Sequence, residues 1–178
     1  MLITNSGLPG SGTTTVSRLV AEALRLVRVP GGEVFRQLAE EAGMSLAAFG
    51  VHVADHPEID VELDRRLEAR ARTGGCVIES RLAGWIVTRA GLLAVRVWID
   101  CEELVRAGRV AVRDGTTPDV ALTENRARAD LEHARYRAVY GIDLTDRSTY
   151  DLVLDSTTLA PDALAAEIVA AAEVAFAS

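Results

Sequence analysis

The chain contains no lysine: all 19 of its basic residues are arginine. Whatever neutralises an anionic ligand must therefore be a guanidinium, which stays charged, or a metal ion. An excess of positive charge is missing too. A formal charge of −7 and a pI near 5.0 argue against a nucleic-acid polymer as partner, which needs a basic face. They leave room for a small anion held by a local arginine cluster. No apolar run reaches the roughly 18 residues of a membrane span. The first strand signal begins at Met1 or Leu2, where a secretory signal would have to lie, so a cytoplasmic protein with no membrane partner is expected. Cysteine is limited to Cys76 and Cys101, each at an end of a strand signal, and the pair reads as two reduced thiols. His52, His56 and His133 have no cysteine at metal-ligand spacing, and no Ser–His–Asp order is visible. Zinc and hydrolase chemistry are set aside on that basis. Internal repeats, low-complexity tracts and linkers are also missing.

What is present starts at the N-terminus. Gly7-Leu8-Pro9-Gly10-Ser11-Gly12-Thr13-Thr14 follows a short apolar strand signal and opens an apolar-periodic helix. Strand, glycine-rich loop, helix is the context in which G-x-x-x-x-G-K-[ST] cradles a phosphate chain. Gly7, Gly10 and Gly12 allow a tight turn with N–H groups pointing inward, and the helix N-terminus adds a positive dipole end. Thr14 stands where a hydroxyl ligand of Mg²⁺ belongs, whereas the lysine position holds Thr13. A glycine-rich turn before a helix also serves plain packing, so the loop alone does not decide.

With 178 residues, 49% of them apolar, one domain with a real core is expected. Strand and helix signals alternate. Strands are read at 2–5, 28–29, 76–79, 93–99 and 150–154. Helices are read at 14–26, 33–42, 45–54, 59–72, 102–113, 118–140 and 161–176, with Ser45 as an N-cap and Pro161 in a first turn. Strands spaced by helices imply right-handed crossovers and a parallel sheet, an α/β fold with five strands flanked by helices.

The arginines fall in groups. Arg36 follows the Gly31-Gly32 turn, where an acceptor phosphate docks in a nucleotide kinase; pairing with Glu33 or Glu40 is the alternative. Arg81 lies just beyond the carboxyl end of a strand, the place where open parallel sheets bind ligands, or it caps a helix terminus. Arg106, Arg109 and Arg113 share a helical face, suited to a polyphosphate unless Glu102 and Glu103 offset them. Arg128, Glu132 and Arg135 form another stripe, either a surface ion-pair ladder or a set of planar forks for a ribose hydroxyl and a phosphate.

Together these residues carry a resemblance. Gly10-Ser11-Gly12-Thr13-Thr14-Thr15 is similar to the loop of the archaeal-type cytidylate kinases, small P-loop nucleoside monophosphate kinases that often have threonine at the lysine position. Further similar blocks run in order: 32–36, 43–46, 57–60 with 63–65, 81–85, 97–100, 135–136, 140–143 and 150–153. The sequence departs from the family pattern at Ser80, Ala129, His52 and Pro30-Gly31.

The resemblance implies a single domain over 1–178: a P-loop NTPase core, a helical acceptor-binding insert near 33–72 and a mobile lid near 109–128. It implies ATP as donor with Mg²⁺, held by Gly7, Gly10, Ser11, Gly12, Thr13, Thr14 and Thr15, with Thr14 on the metal. Arg36 and Arg81 would bind the acceptor α-phosphate. Arg106 would lie against the donor adenine, Arg109 would reach the donor phosphates, and Arg128, Glu132 and Arg135 would handle sugar and phosphate. Arg106, Arg109 and Arg128 form the expected catalytic set. Asp60, in the insert, is the expected reader of the cytosine amine. The expected activity is transfer of the γ-phosphoryl of ATP to CMP or dCMP. Two rivals stand beside it: a kinase of another small phosphate or alcohol, and a nucleotide-binding protein without catalysis.

Overall fold

The computed structural model describes residues 1–177. Five apolar runs form the strands β1 (Leu2–Gly7), β2 (Val27–Pro30), β3 (Cys76–Glu79), β4 (Val95–Asp100) and β5 (Leu152–Asp155). All neighbours pair in parallel, in the order β2-β3-β1-β4-β5. A parallel sheet needs helices on both faces, and the described residues form eight: α1 (Thr13–Leu24), α2 (Gly31–Glu41), α3 (Leu46–Asp55), α4 (Pro57–Arg72), α5 (Ala83–Arg89), α6 (Glu103–Asp114), α7 (Pro118–Tyr140) and α8 (Pro161–Ala175). The expected parallel five-stranded α/β core is thus the observed one.

Alternation along the strands sends successive side chains to two separate cores. Ile3, Val77, Val97 and Ile99 pack with Val16 and Val20 of α1 and Leu164 and Ile168 of α8. On the other face, Leu2, Cys76 and Ile78 pack with Leu67 of α4, Ile86 and Val87 of α5, and Tyr136 of α7. Two satellite clusters lie outside the sheet. Ala39, Phe49 and Val53 join α2 to α3, and Ala107, Val110, Ala111 and Ala121 join α6 to α7. The first lies within the 33–72 segment, and the second spans residues at the edge of and within 109–128.

Several boundaries move, for local reasons. α1 stops at Leu24 rather than Leu26 because Arg25 takes a left-handed conformation (φ 54) and the Leu26 N–H returns to the Ala21 carbonyl at 2.8 Å. α4 starts at Pro57, in the first turn, where a missing N–H costs nothing. Ser45 caps α3 by accepting from the Ala48 N–H at 3.2 Å, as read from the sequence. One helix, α5, was not expected. It has seven residues and includes Gly84, which weakens its periodic signal. The glycine is needed because a β-carbon there would stand 2.5 Å from the Tyr150 ring.

Candidate active site

The glycine loop leaves the carboxyl end of β1, in the middle of the sheet, where the chain changes direction between β3 and β4. Two glycines have specific causes. Gly10 (φ 83) lies against α6, where a β-carbon would stand 2.5 Å from the backbone oxygen of Arg106. Gly12 (φ 91) is the left-handed residue from which α1 starts. Beneath the loop, the Asn5 amide donates to the Thr13 carbonyl at 3.2 Å and to Ser17 Oγ at 2.9 Å, tying the start of α1 to β1.

Glu79, at the end of β3, is the hub on one flank. Its Oε1 accepts from Thr14 Oγ1 at 2.5 Å and from Thr13 Oγ1 at 3.2 Å, while Oε2 pairs with Arg28 at 3.0 Å. The threonine at the lysine position therefore gives its hydroxyl to a neighbouring strand. Glu79 was not among the expected site residues. Its signal was a carboxylate closing an apolar strand that turned out to lie next to β1.

Beside the loop opens a cavity of about 480 Å³. Arg36, Arg81, Arg128 and Arg135, drawn from α2, the β3–α5 turn and α7, all line it, as do Arg109 and Arg113 of α6. Glu132 is the ionic centre on the α7 side. It is almost fully buried, and its two oxygens each take a guanidinium at 2.7 Å, one from Arg81 and one from Arg128. Burial alone would raise its pKa, but the two arginines win and hold it at about 2. The stripe is thus no surface ladder. Arg81 also donates to the Gly7 carbonyl, joining the arginine to the loop.

Arg135 turns away from Glu132 and pairs with Asp60 of α4 at 2.7 Å. Its guanidinium sits 5.7 Å from the Phe35 ring centre and 5.1 Å from that of Tyr136. Burial lifts Asp60 to about 6 against the pull of Arg135. One turn on, Asp64 is also lifted to about 6 by burial, although the Tyr140 hydroxyl donates to it at 2.7 Å. Asp60, the expected reader of the cytosine amine, is thus half of a buried pair that also lines the cavity. Asp64, part of the 63–65 block but given no role there, lines the same cavity.

Arg36 is exposed toward the cavity and has no carboxylate partner among the described residues. Its expected alternative partner Glu33 is held by Arg28 at 2.6 Å. The three arginines of α6 diverge. Arg109 reaches back over the loop, with its Nη1 4.0 Å from the point a β-carbon on Gly12 would occupy. Arg113 pairs with its neighbour Asp114 at 2.6 Å, and Glu103 goes to Arg126 at 2.7 Å. Arg106 corrects an expectation. It does not line the cavity but is buried under the loop, donating to the carbonyls of Cys101 at 3.1 Å and Pro9 at 3.4 Å. Its guanidinium is short enough of water that burial lowers its pKa. Ser80 likewise serves locally, its hydroxyl accepting from the Leu82 N–H at 3.2 Å.

The residues at the loop mouth suit a hard divalent cation. Thr14 Oγ1 and the Glu79 carboxylate are adjacent oxygen donors. Asn5, paired with Glu79 in the sheet and lining the same cavity, has a buried Oδ1 with no partner among the described residues. A few oxygens beside open space for water match what Mg²⁺ takes from proteins.

A glycine-rich loop at the switch point of a parallel sheet, with guanidinium groups around one cavity, defines the fold of the small P-loop kinases. A family model described as "AAA domain" matches residues 3–132. Cytidylate kinase of Pyrococcus horikoshii is 44% identical over 171 residues, covering 96% of this chain and 88% of the relative. That of Methanocaldococcus jannaschii is 42% identical over 158 residues, covering 88% and 89%. Shikimate kinase from Acinetobacter baumannii, solved with shikimate, aligns with a TM-score of 0.62 at 14% identity over 99% of this chain and 95% of that one, a likeness of fold alone. The chain belongs to the cytidylate kinase family.

Proposed function

We propose that the protein transfers the γ-phosphoryl group of ATP to CMP or dCMP, giving the nucleoside diphosphate and ADP. The observation that carries this reading is the meeting of Arg36, Arg81, Arg128 and Arg135 in one cavity that opens onto the glycine loop. The loop amides from Gly7 to Thr15 hold the donor phosphates. Arg36 and Arg81 take the acceptor phosphate, and Arg128 and Glu132 set the position of Arg81. Arg109, above the loop, meets charge that develops on the transferring group. Arg106 acts from below, by holding the Pro9 carbonyl of the loop. Asp60, with Asp64 beside it, faces the exocyclic amine of cytosine, a donor that uracil lacks.

An oxygen of the acceptor phosphate attacks the γ-phosphorus, and the bond to the β–γ bridging oxygen breaks. The attacking oxygen is already anionic, so no general base is required; the work is positioning and charge stabilisation. Bound at Thr14 and Glu79, Mg²⁺ would neutralise phosphate charge there. The helices around residues 109–128 act as a lid that excludes water when both substrates are in place. Among the described residues no helix is long and apolar enough to cross a membrane. We place the enzyme in the cytoplasm, acting on small nucleotides rather than on a nucleic-acid polymer.

The test is a panel of acceptors, CMP, dCMP, UMP, AMP and GMP, each with ATP and Mg²⁺. CMP and dCMP are expected to be phosphorylated and UMP poorly. Transfer to none of them would overturn this reading and leave the two rivals, a kinase of another small phosphate or alcohol and a nucleotide-binding protein without catalysis.

A further inference from the structure

Ser156 belongs to none of the motifs above. It is the first residue beyond β5 and is buried. Its hydroxyl donates to the Ser11 carbonyl of the glycine loop at 2.7 Å and accepts from Arg109 Nη1 at 3.0 Å. Its carbonyl accepts from Arg109 Nη2 at 2.7 Å, and its N–H bonds the Asp100 carbonyl at the end of β4 at 2.9 Å. Every polar group of the residue is engaged, and each partner belongs to a different part of the site.

We infer that Ser156 is a positioning residue for phosphoryl transfer: it holds the Arg109 guanidinium above the glycine loop, where the chain has no lysine. This rests on the kinase reading given above. An arginine on an exposed helical face loses rotamer freedom when it grips a ligand. Two-point anchorage at Ser156 removes that freedom before the nucleotide arrives. Arg109 Nη1 also lies 3.4 Å from the Gly10 carbonyl and from Cys101 Sγ, and of the five N–H donors of a guanidinium those on Nε and the second on Nη2 are left for phosphate oxygens. The same hydroxyl fixes Ser11, so the arginine and the loop are set relative to one another by a single atom. The adjacent turn is fixed independently. The Asp155 carboxylate accepts from the Thr157 N–H at 2.8 Å, and Thr157 Oγ1 accepts from the Glu102 N–H at 2.9 Å. Removing the Ser156 hydroxyl therefore leaves the turn in place.

The experiment is a double-mutant cycle with Ser156→Ala, Arg109→Ala and both together. Binding of Mg²⁺ and a non-hydrolysable ATP analogue is read by calorimetry, and transfer to CMP by steady-state kinetics. Ser156→Ala should weaken analogue binding about 5-fold and lower kcat about 10-fold, with the KM for CMP within about twofold of wild type. In the Arg109→Ala background the same change should cost about 3-fold or less in kcat, because only the bond to Ser11 is then left to lose. Equal losses in both backgrounds, or wild-type behaviour of Ser156→Ala, overturn the proposal. If wild type transfers phosphate to no nucleotide but the binding cycle still shows this coupling, the positioning stands and the kinase reading fails. Should Ser156→Ala not fold, nitrogen-15 spectra of the unliganded wild type decide. Resolved, slowly rotating Arg109 Nη protons support the anchorage, and a single averaged signal overturns it.

Discussion

Asp60 and Arg135 meet at 2.7 Å with both side chains almost entirely withdrawn from water. Each is the other's compensation, since a buried charge whose partner is removed typically costs about 3–5 kcal/mol. Asp60→Asn should therefore lower stability, measured by urea denaturation, and at the same time narrow the preference for CMP over UMP. Loss of stability with an unaltered preference would reduce Asp60 to a structural partner and pass base reading to Asp64.

Titration should separate the two carboxylate environments. Asp60 and Asp64 have folded-state pKa values near 6, above their ordinary ones, so the native state binds more protons than the unfolded chain between about pH 4 and 6. Stability from these two groups falls as pH rises through that window. Glu132 behaves oppositely. Held at about 2, it contributes stability above its unfolded value that is lost as pH falls toward 2, on the order of 3 kcal/mol. Asp64→Asn should thus raise Tm more at pH 7.5 than at pH 5. Glu132→Gln should lower Tm at pH 7 and flatten the acid limb. A Tm profile unchanged by either substitution would remove this assignment of charges.

Among the described residues Arg36 has no ion-pair partner to lose. Arg36→Ala should leave the urea midpoint unchanged and reduce kcat/KM for the acceptor by about 1.5–3 kcal/mol, the scale of a charge-assisted hydrogen bond. The KM for ATP should stay as in wild type. An unaltered acceptor profile would sink its role as a phosphate ligand.

Glu79 holds Thr14 of the glycine loop and Arg28 of β2 at once. Glu79→Gln keeps the shape and removes the charge. The Mg²⁺ concentration for half-maximal activity should rise about 10-fold or more, as for other groups that orient metal ligands. Thr14→Ala should show the same shift. Unchanged Mg²⁺ dependence in both variants would exclude this corner of the loop as the metal site.

Much of this was legible from local pattern. Apolar runs marked the five strands, and Gly10 and Gly12 announced the loop, because the requirements they meet are set within a few residues. The arginines of α7 were recognisable as a stripe, but their partners were not. Glu132 takes Arg81 from 51 positions away, and Arg135 takes Asp60 from α4. Helical spacing says which side chains share a face, not which strand or helix faces them. Arg106 shows the limit most clearly. It shares a helical face with Arg109, yet the close approach of Gly10 to the α6 backbone leaves it under the loop while Arg109 passes over it. Ser156 carried no local signal at all, since its meaning comes from β5 lying beside β4.

The bond from Ser156 to Ser11 also has a meaning in time. A ribosome delivers the glycine loop 145 positions before Ser156. A nascent chain that has released β1, β2, β3 and β4 can already present the whole loop sequence, but Ser11 and Arg109 still lack the residue they share. Docking of the final strand is therefore the event that completes the nucleotide site, so unfinished chains should capture ATP weakly however early their loop emerges.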